Sequence, residues 1–260
     1  MAKKLLLISG PCAIESEEIC FQVAAEVSQL CKELSIDYVF KSSFKKANRT
    51  SVSSFTGIDF DEALSILSSV KSRFGVPVLT DVHEQIEVNR VAEVADYLQI
   101  PSFLCRQTDL LVAAGKTGRY VNIKKGQFAS SESMKFAVEK VRSTGNHKVL
   151  LTERGTTFGY QDLVVDFRSI PQMQAFGVPV ILDATHSLQQ PNQSSGVTGG
   201  LPHLIETICK AGIAAGADGL FIETHPDPSK ALSDGKNMLP LKDLRSLLEK
   251  CLKVYEAVNS

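Results

Sequence analysis

The sequence has 260 residues, with 28 lysine and arginine residues against 29 aspartate and glutamate residues. This balance gives no overall attraction to nucleic acid or to an anionic membrane, so an anionic partner has to be bound by a local site. The length is typical of one (β/α)8 barrel of about 250 residues. We therefore expect residues 1–260 to form a single barrel domain.

The N-terminal stretch and the cysteines predict a cytoplasmic protein. The first apolar run, Leu5 to Ile8, is shorter than the about 7 to 15 residues of a signal-peptide core. No segment approaches the roughly 18 apolar residues of a membrane span. The six cysteines are irregularly spaced, which favours free thiols or metal ligands over disulfides. Five of them fall in helical patterns and are expected to be small buried side chains: Cys20, Cys31, Cys105, Cys209 and Cys251.

Eight apolar runs rich in β-branched residues alternate along the chain with stretches of helical period. This alternation is typical of repeated βα units around a parallel sheet. Eight units predict a closed (β/α)8 barrel, or TIM barrel. The predicted strands are 5–9, 37–42, 76–82, 97–101, 120–125, 148–154, 178–184 and 219–224.

An internal repeat supports this count, since FGVPVLTDVH at 74–83 is echoed by FGVPVILDATH at 176–186. The glycine is expected to end a helix and the proline to enter a strand. The polar residues at the far end have no such structural explanation. They are Asp81, His83, Asp183 and His186. Because barrel active sites lie at the carboxyl ends of the strands, these side chains are expected to face the site.

Three connections of about 14 residues follow strand ends and contain no obvious element: 44–57, 187–200 and 226–240. Loops of this length are uncommon unless they are functional or disordered. The second is rich in Gln, Ser and Gly and is interpreted as a mobile lid. The first and third carry charged residues and are interpreted as ligand-bearing loops.

Basic side chains follow several of the predicted strands. Taken singly, each is more often a solvated residue than a ligand. Converging on one barrel mouth they would repel one another unless anions neutralised them, so the cluster predicts a site for phosphate or carboxylate groups. Its members are Lys41, Lys46, Arg49, Lys124 and Arg154.

A second set of strand-end residues has the character of metal ligands. Cys12, His186 and Glu223 offer a soft, a borderline and a hard donor, and Asp234 lies on the last long loop. Such a mixture suits a divalent transition metal such as Zn²⁺, Fe²⁺ or Mn²⁺, with an open position for substrate. The spacing alone is weak support, because only a closed barrel would bring these distant residues together.

Motifs along almost the whole chain resemble the metal-dependent class of the 3-deoxy-D-manno-octulosonate 8-phosphate synthase family. They are GPCAIES, FKSSFKKANRTS, TDVHE, QIPSFLCRQTDLL, VNIKKGQF, FGYQDLVVD, DATHSLQQP and GLFIETHPDP with SDGKNMLPL. The resemblance implies a cytoplasmic homotetrameric barrel that condenses phosphoenolpyruvate with D-arabinose 5-phosphate and water, and releases phosphate. The eight-carbon product would serve synthesis of the KDO sugar of lipopolysaccharide.

The same resemblance assigns roles to individual residues. Phosphoenolpyruvate would be surrounded by Lys41, Ser43, Lys46, Gln99, Ser102, Lys124 and Arg154. The pentose phosphate would be held by Asn48, Arg49, Thr50 and Ser51, with Arg106 reaching in from a neighbouring subunit. The metal ligands would be Cys12, His186, Glu223 and Asp234, and the metal-independent class has Asn at position 12. The residues expected to carry the chemistry are Lys46, Asp81, His186 and Cys12.

Two departures from the family pattern lie at loop margins: Lys45 replaces the usual Asp, and TGGLPHL at 198–204 replaces a more basic segment. The nearest alternative is a 3-deoxy-D-arabino-heptulosonate 7-phosphate synthase, which takes erythrose 4-phosphate. Its sugar motif, Lys-Pro-Arg-Thr-Ser, is one residue shorter than the segment from Lys46 to Ser51. A second alternative is an inactive barrel that senses phosphosugars, but it gives no reason to keep all four ligands.

Overall fold

The computed structural model describes residues 4–48, 54–158, 162–190 and 199–259. Eight parallel strands form a barrel in chain order, and the first strand pairs with the eighth to close it. The predicted (β/α)8 barrel is confirmed, and each strand lies at its predicted place. The strands are β1 (Leu6–Gly10), β2 (Asp37–Lys41), β3 (Val78–Asp81), β4 (Tyr97–Ile100), β5 (Tyr120–Lys124), β6 (Val149–Glu153), β7 (Val180–Asp183) and β8 (Gly219–His225).

A helix follows each strand and covers the outside of the barrel. The helices are α1 (Glu17–Glu33), α2 (Phe60–Phe74), α3 (Val88–Val94), α4 (Thr108–Lys116), α5 (Met134–Arg142), α6 (Ser169–Gln174), α7 (Ile205–Ala214) and α8 (Leu244–Asn259). Among the described residues, no helix is long and apolar enough to cross a membrane.

Helix ends follow local sequence signals. Ser16 caps α1 by accepting a hydrogen bond from the Ile19 amide, and Asp59 caps α2 through the Asp61 and Glu62 amides. Gly75 ends α2 in the left-handed conformation, with φ of 64°. The predicted helix-ending role of the glycine in the first FGVPV repeat is therefore confirmed.

The strands separate two apolar layers. The larger layer lies between the sheet and the helices and includes most of the buried apolar residues. A smaller layer fills the barrel interior and consists of Ile8, Val39, Leu79, Leu150, Ile181 and Phe221. Because side chains alternate between the two faces of a strand, residues two positions further along each strand also point inward.

The connections at the carboxyl ends of the strands contain more local structure than the sequence indicates. The loop at 226–240 includes 3-10 turns at Pro228–Lys230 and Gly235–Asn237 and a short strand at Leu239–Pro240. In the predicted lid, Gln189–Gln190 pairs with Gly199–Gly200, and residues 191–198 lie outside the described part. Cys105 lies in a turn before α4 and not in a helix, although it is buried as expected.

Candidate active site

The two-residue period of the strands places polar side chains directly above the inner apolar layer. Val39 is followed two positions later by Lys41, and Phe221 is followed by Glu223. The inward-facing residues are therefore apolar in the middle of the strand and polar at its carboxyl end. The buried inward polar residues at these positions are Lys41, Asp81, Lys124, Thr152, Asp183 and Glu223.

A cavity of about 1470 Å³ opens at this end of the barrel. The predicted site residues that line it are Lys41, Ser43, Lys46, Asn48, Asp81, Gln99, Ser102, Lys124, Arg154, His186 and Asp234. Cys12 and Glu223 are fully buried and contact cavity-lining residues from behind. The predicted sugar ligands Arg49, Thr50 and Ser51 lie outside the described residues.

Two buried ion pairs form the base of the cavity. The Lys41 ammonium lies 2.6 Å from Glu223 Oε1 and also donates to the Cys12 carbonyl oxygen at 2.9 Å. The Lys124 ammonium lies 2.7 Å from Asp183 Oδ2 and 3.7 Å from the centre of the Phe221 ring. The protein therefore neutralises part of the predicted cation cluster with its own carboxylates, so that cluster does not depend on bound anions alone.

A chain of side-chain hydrogen bonds crosses the barrel from β2 to β6. Ser43 Oγ donates to Asp81 Oδ2, and Gln99 Nε2 donates to Asp81 Oδ1 at 2.7 Å. Asn122 Nδ2 donates to Gln99 Oε1 at 2.9 Å, and Thr152 Oγ1 donates to Asn122 Oδ1 at 2.7 Å. The network fixes the orientation of Gln99 and Asp81 before any ligand binds.

The charge states of two cavity residues follow from their neighbours. Burial opposes charge on Asp81, but the surrounding cations, with Lys41 the largest contributor, hold its pKa well below the usual range. Burial also opposes the charge on Lys46, but the nearby carboxylates, Glu223 and Asp234 among them, raise the pKa of this lysine. Asp81 is therefore a carboxylate and Lys46 an ammonium at neutral pH.

The Arg154 guanidinium does not use all of its hydrogen-bond donors within the described residues. Its Nη2 atom donates to the His186 carbonyl oxygen at 3.1 Å and to Gln189 Oε1 at 2.8 Å. The buried Nη1 atom has no hydrogen-bond partner within the described residues. A buried donor without a partner is costly, and an anionic ligand in the cavity would satisfy it.

Three of the four predicted metal ligands converge. One donor atom from each of Cys12, Glu223 and Asp234 lies within 4.8 Å of the others, and Cys12 Sγ is 3.2 Å from Asp234 Oδ2. His186 lies beside this group, with Nε2 3.5 Å from Glu223 Oε2. Ligands bonded to one tetrahedral zinc at about 2.0–2.3 Å lie roughly 3.3–3.8 Å apart, so these separations suit a shared ion.

The chemistry of the group also fits a cation. Glu223 Oε2 is buried without a hydrogen-bond partner within the described residues. Burial and the Glu223 carboxylate raise the pKa of the Cys12 thiol well above its usual value, so without a metal this side chain is a neutral thiol. A bound divalent cation would satisfy the orphaned oxygen and stabilise the thiolate.

Asp183 orients the imidazole of His186. Its Oδ2 atom lies 2.8 Å from His186 Nδ1, and its Oδ1 atom accepts from the His186 amide at 2.8 Å. This contact leaves Nε2 directed at Glu223. A carboxylate on the second nitrogen of a ligating histidine is a frequent arrangement in metal sites.

Two predicted features lie at the edge of the site. Lys45, the departure from the family pattern, places its ammonium 3.3 Å from both Glu84 and Glu87. Arg106 is exposed in a turn before α4 and does not line the described part of the cavity of its own chain, and its service to a neighbour stays a prediction.

Sequence reasoning missed several residues that shape the site. The sequence identifies Asp183 as a polar strand end without giving it a role, and Asn122 is not among the predicted site residues. Asn122 interrupts an apolar strand at an inward position, which was the available signal. Glu15 was also missed, although its side chain accepts a hydrogen bond from the loop that carries Asp234.

A model of the DAHP synthetase I family matches residues 2–260. The chain belongs to this family. Similar members named 2-dehydro-3-deoxyphosphooctonate aldolase occur in Desulfotalea psychrophila and Rhizobium meliloti. The first is 54% identical over 255 residues, and the second is 53% identical over 256 residues. In both cases the match covers 98% of this chain and 91% of the relative.

A third relative with the same name, from a Cyanothece strain, is 51% identical over 252 residues, or 97% of this chain and 92% of the relative. The family resemblance drawn from the motifs is therefore confirmed. The family model carries the name of the seven-carbon synthases, whereas these relatives are named for an eight-carbon product.

Proposed function

We propose that the protein is a 3-deoxy-D-manno-octulosonate 8-phosphate synthase, which condenses phosphoenolpyruvate with D-arabinose 5-phosphate and water and releases phosphate. The observation that carries this proposal is the full-length similarity, above 50% identity, to relatives named for the eight-carbon phosphosugar. The cavity at the barrel mouth supports it, since it combines buried cations with a donor group suited to a divalent metal. The product would serve KDO and lipopolysaccharide biosynthesis.

The phosphoenolpyruvate site is assigned to the deep, preorganised part of the cavity. Lys41 and Lys124 are held by buried carboxylates, Arg154 keeps Nη1 for an anion, and Gln99 is fixed by the network across the strands. Ser43, Lys46 and Ser102 complete the lining. Holding two phosphorylated anions in reacting geometry supplies up to about 7–11 kcal/mol of the barrier reduction.

The sugar site is assigned to the segment Asn48, Arg49, Thr50 and Ser51. Asn48 lines the cavity and offers an amide to a sugar hydroxyl. The segment from Lys46 to Ser51 is one residue longer than the corresponding heptulosonate motif, which favours the longer pentose over erythrose 4-phosphate.

In the reaction, C3 of phosphoenolpyruvate attacks the aldehyde carbon of the open-chain sugar and water adds at C2. Phosphate then leaves by cleavage of its C–O bond. The charged Lys46 stabilises negative charge that develops on the aldehyde oxygen, and ionised Asp81 orients the attacking water by accepting a hydrogen bond from it. The proton that the water loses goes to the new alkoxide. His186 and Cys12 are assigned to the same reacting region.

We assign the metal site to Cys12, His186, Glu223 and Asp234, which places the enzyme in the metal-dependent class. The mixture of thiolate, imidazole and carboxylate donors suits Zn²⁺, Fe²⁺ or Mn²⁺. A cation bound there would act as a Lewis acid on a substrate or water oxygen.

We further propose that residues 1–260 form one catalytic domain and that it works as a homotetramer. Arg106 is exposed, and so are three phenylalanines from the segments after β4 and β5 that a second copy could cover: Phe103, Phe128 and Phe136 are 54%, 56% and 63% exposed. Lys140 lies one turn from Phe136 on α5 and donates to the Arg106 carbonyl oxygen. This hydrogen bond connects α5 with the turn that carries Arg106. A cytoplasmic location fits substrates that are phosphorylated anions.

The proposal is tested by following phosphate release from phosphoenolpyruvate with arabinose 5-phosphate, with and without a chelator. The product is identified by mass and by NMR. An eight-carbon phosphorylated keto acid formed in step with phosphate supports the proposal. Binding of both phosphorylated compounds without turnover by metal-loaded protein would instead identify a sensor.

A further inference from the structure

The loop after β1 carries an acidic residue, Glu15, that the proposed chemistry does not use. Glu15 lies three positions after Cys12, and its side chain is only 8% exposed. Its Oε1 atom accepts a hydrogen bond from the Leu232 amide at 2.9 Å, across 217 positions of sequence. Leu232 lies two positions before Asp234, so Glu15 ties the loop of one proposed metal ligand to the loop of another.

The other oxygen of Glu15 faces the end of β8. His225, the last residue of that strand, is 3% exposed and places Nε2 3.7 Å from Glu15 Oε2. His225 Nδ1 accepts from the Asp227 amide at 3.0 Å, so its proton is carried on Nε2 and directed toward Glu15. The 3.7 Å between His225 Nε2 and Glu15 Oε2 is too long for a hydrogen bond, so the Leu232 amide supplies the hydrogen bond that fixes Glu15, and His225 lies beside the other oxygen.

Asp234 needs such external support, because its backbone is in the left-handed region with φ of 50°. A residue other than glycine is uncommon there, and a conformation of this kind persists where surrounding contacts enforce it. Gly235 packs closely enough that a Cβ atom would lie 2.2 Å from the Pro228 carbonyl oxygen. Close packing on one side and the Glu15 hydrogen bond on the other therefore restrict the position of the Asp234 carboxylate.

We propose that Glu15 is a positioning residue for the metal: by holding Leu232, it presets Asp234 against Cys12. Cys12 Sγ lies 3.5 Å from Ser233 Oγ as well as 3.2 Å from Asp234 Oδ2, so the two loops meet at the ligands themselves. Glu15 does not contact the metal. Because Glu15 holds this loop in place, Asp234 loses less conformational freedom when the cation binds. The affinity of the protein for the cation is therefore higher. This inference rests on the metal site proposed above.

The test uses Co²⁺ added to the full-length, chelator-treated protein, with binding followed by the thiolate-to-cobalt absorption from Cys12. We expect Glu15→Ala to raise the dissociation constant about 10-fold to 100-fold, as losses of outer-shell contacts do. Glu15→Gln should stay within about 3-fold of the wild type, because its amide oxygen still accepts from the Leu232 amide. The matched control is Glu18→Ala, which removes an exposed carboxylate on the first turn of α1.

Hydrogen exchange in the metal-free protein gives a second readout. Glu15→Ala should speed exchange in residues 226–240 while the barrel strands keep their protection. Wild-type affinity and unchanged exchange in Glu15→Ala would overturn the inference, and so would Glu15→Gln behaving like Glu15→Ala. A wild-type protein without thiolate-to-cobalt absorption would instead show that the metal site itself is wrongly assigned.

Discussion

The Lys41 ammonium lies 2.6 Å from Glu223 Oε1 at the base of the cavity, and both side chains are almost completely buried. The strand register explains the pairing, since β2 and β8 are the two neighbours of β1 and both residues stand near carboxyl ends. One member is assigned to phosphoenolpyruvate and the other to the metal. The pair therefore couples the two proposed subsites through a single contact.

Replacing Lys41 by Met should lower both the activity and the stability of the protein. We expect kcat/KM for phosphoenolpyruvate to fall roughly 100-fold or more, because a preorganised cation is lost. The free energy of unfolding of metal-free protein should fall by about 3–5 kcal/mol, since the buried Glu223 carboxylate loses its closest cation. Steady-state kinetics and denaturant titration measure the two effects.

The double variant Lys41→Met with Glu223→Gln serves as the control. It should regain much of the lost stability but none of the activity, because the buried charge is gone while both binding groups remain missing. A double variant no more stable than Lys41→Met would contradict the assignment of the pair as the source of the stability loss.

Asp81 should make the stability of the protein depend on pH in acid. Its pKa is lowered in the folded protein by the surrounding cations, despite burial. A carboxyl of this kind contributes stability above its unfolded pKa of about 3.9, and that contribution is lost as the pH falls toward the folded value. The free energy of unfolding of the wild type should therefore fall more steeply between about pH 5 and pH 2 than that of Asp81→Asn.

Denaturant titrations across this pH range measure the difference. Asp243→Asn, at an exposed position before α8, is the matched control and should keep the wild-type slope. Identical slopes for the wild type and Asp81→Asn would show that Asp81 is not held in its ionised form by the cavity cations.

Arg106 should affect the sugar phosphate alone. Arg106→Ala is expected to raise KM for arabinose 5-phosphate about 10-fold or more, with little change in KM for phosphoenolpyruvate, since one charge-assisted contact to a phosphate is lost. Lys116→Ala, at the exposed far end of α4, is the matched control. A fully active monomer at high dilution would rule out a neighbour's contribution.

The barrel was predictable from the sequence because its signals are local. Each apolar run is short, each is followed by a helical period, and Gly75 ends α2 as its place in the repeat indicates. The location of the strand-end residues then follows from the topology, since all the parallel strands of a barrel have their carboxyl ends at the same opening. Lys41, Asp81 and His186 could accordingly be assigned to the cavity without coordinates.

Other features could not be predicted because they depend on register between distant segments. The pairing of Lys41 with Glu223, and of Lys124 with Asp183, is set by which strands are neighbours and how far each inward residue projects. The contact between Glu15 and Leu232 joins two loops that share no sequence pattern. The sequence pattern alone therefore predicts that the cations repel one another, whereas the folded chain pairs Lys41 and Lys124 with buried carboxylates.

Cys12 should be required for the metal but not for the fold. Cys12→Ala is expected to lose both bound metal and activity while its thermal unfolding stays cooperative, because only one small side chain at the barrel rim is removed. Cys12→Asn should keep partial activity that resists chelators, since the metal-independent class has Asn there. Elemental analysis, kinetics and thermal unfolding check these outcomes. Undiminished turnover by wild-type protein stripped of metal would refute the assignment.

The most direct test of the proposed function compares kcat/KM for arabinose 5-phosphate and erythrose 4-phosphate in the same preparation, with phosphoenolpyruvate saturating and metal present. We expect a large preference for arabinose 5-phosphate, because Asn48 and the longer sugar segment suit the five-carbon substrate. A preference for erythrose 4-phosphate would contradict it and identify a heptulosonate 7-phosphate synthase on the same barrel.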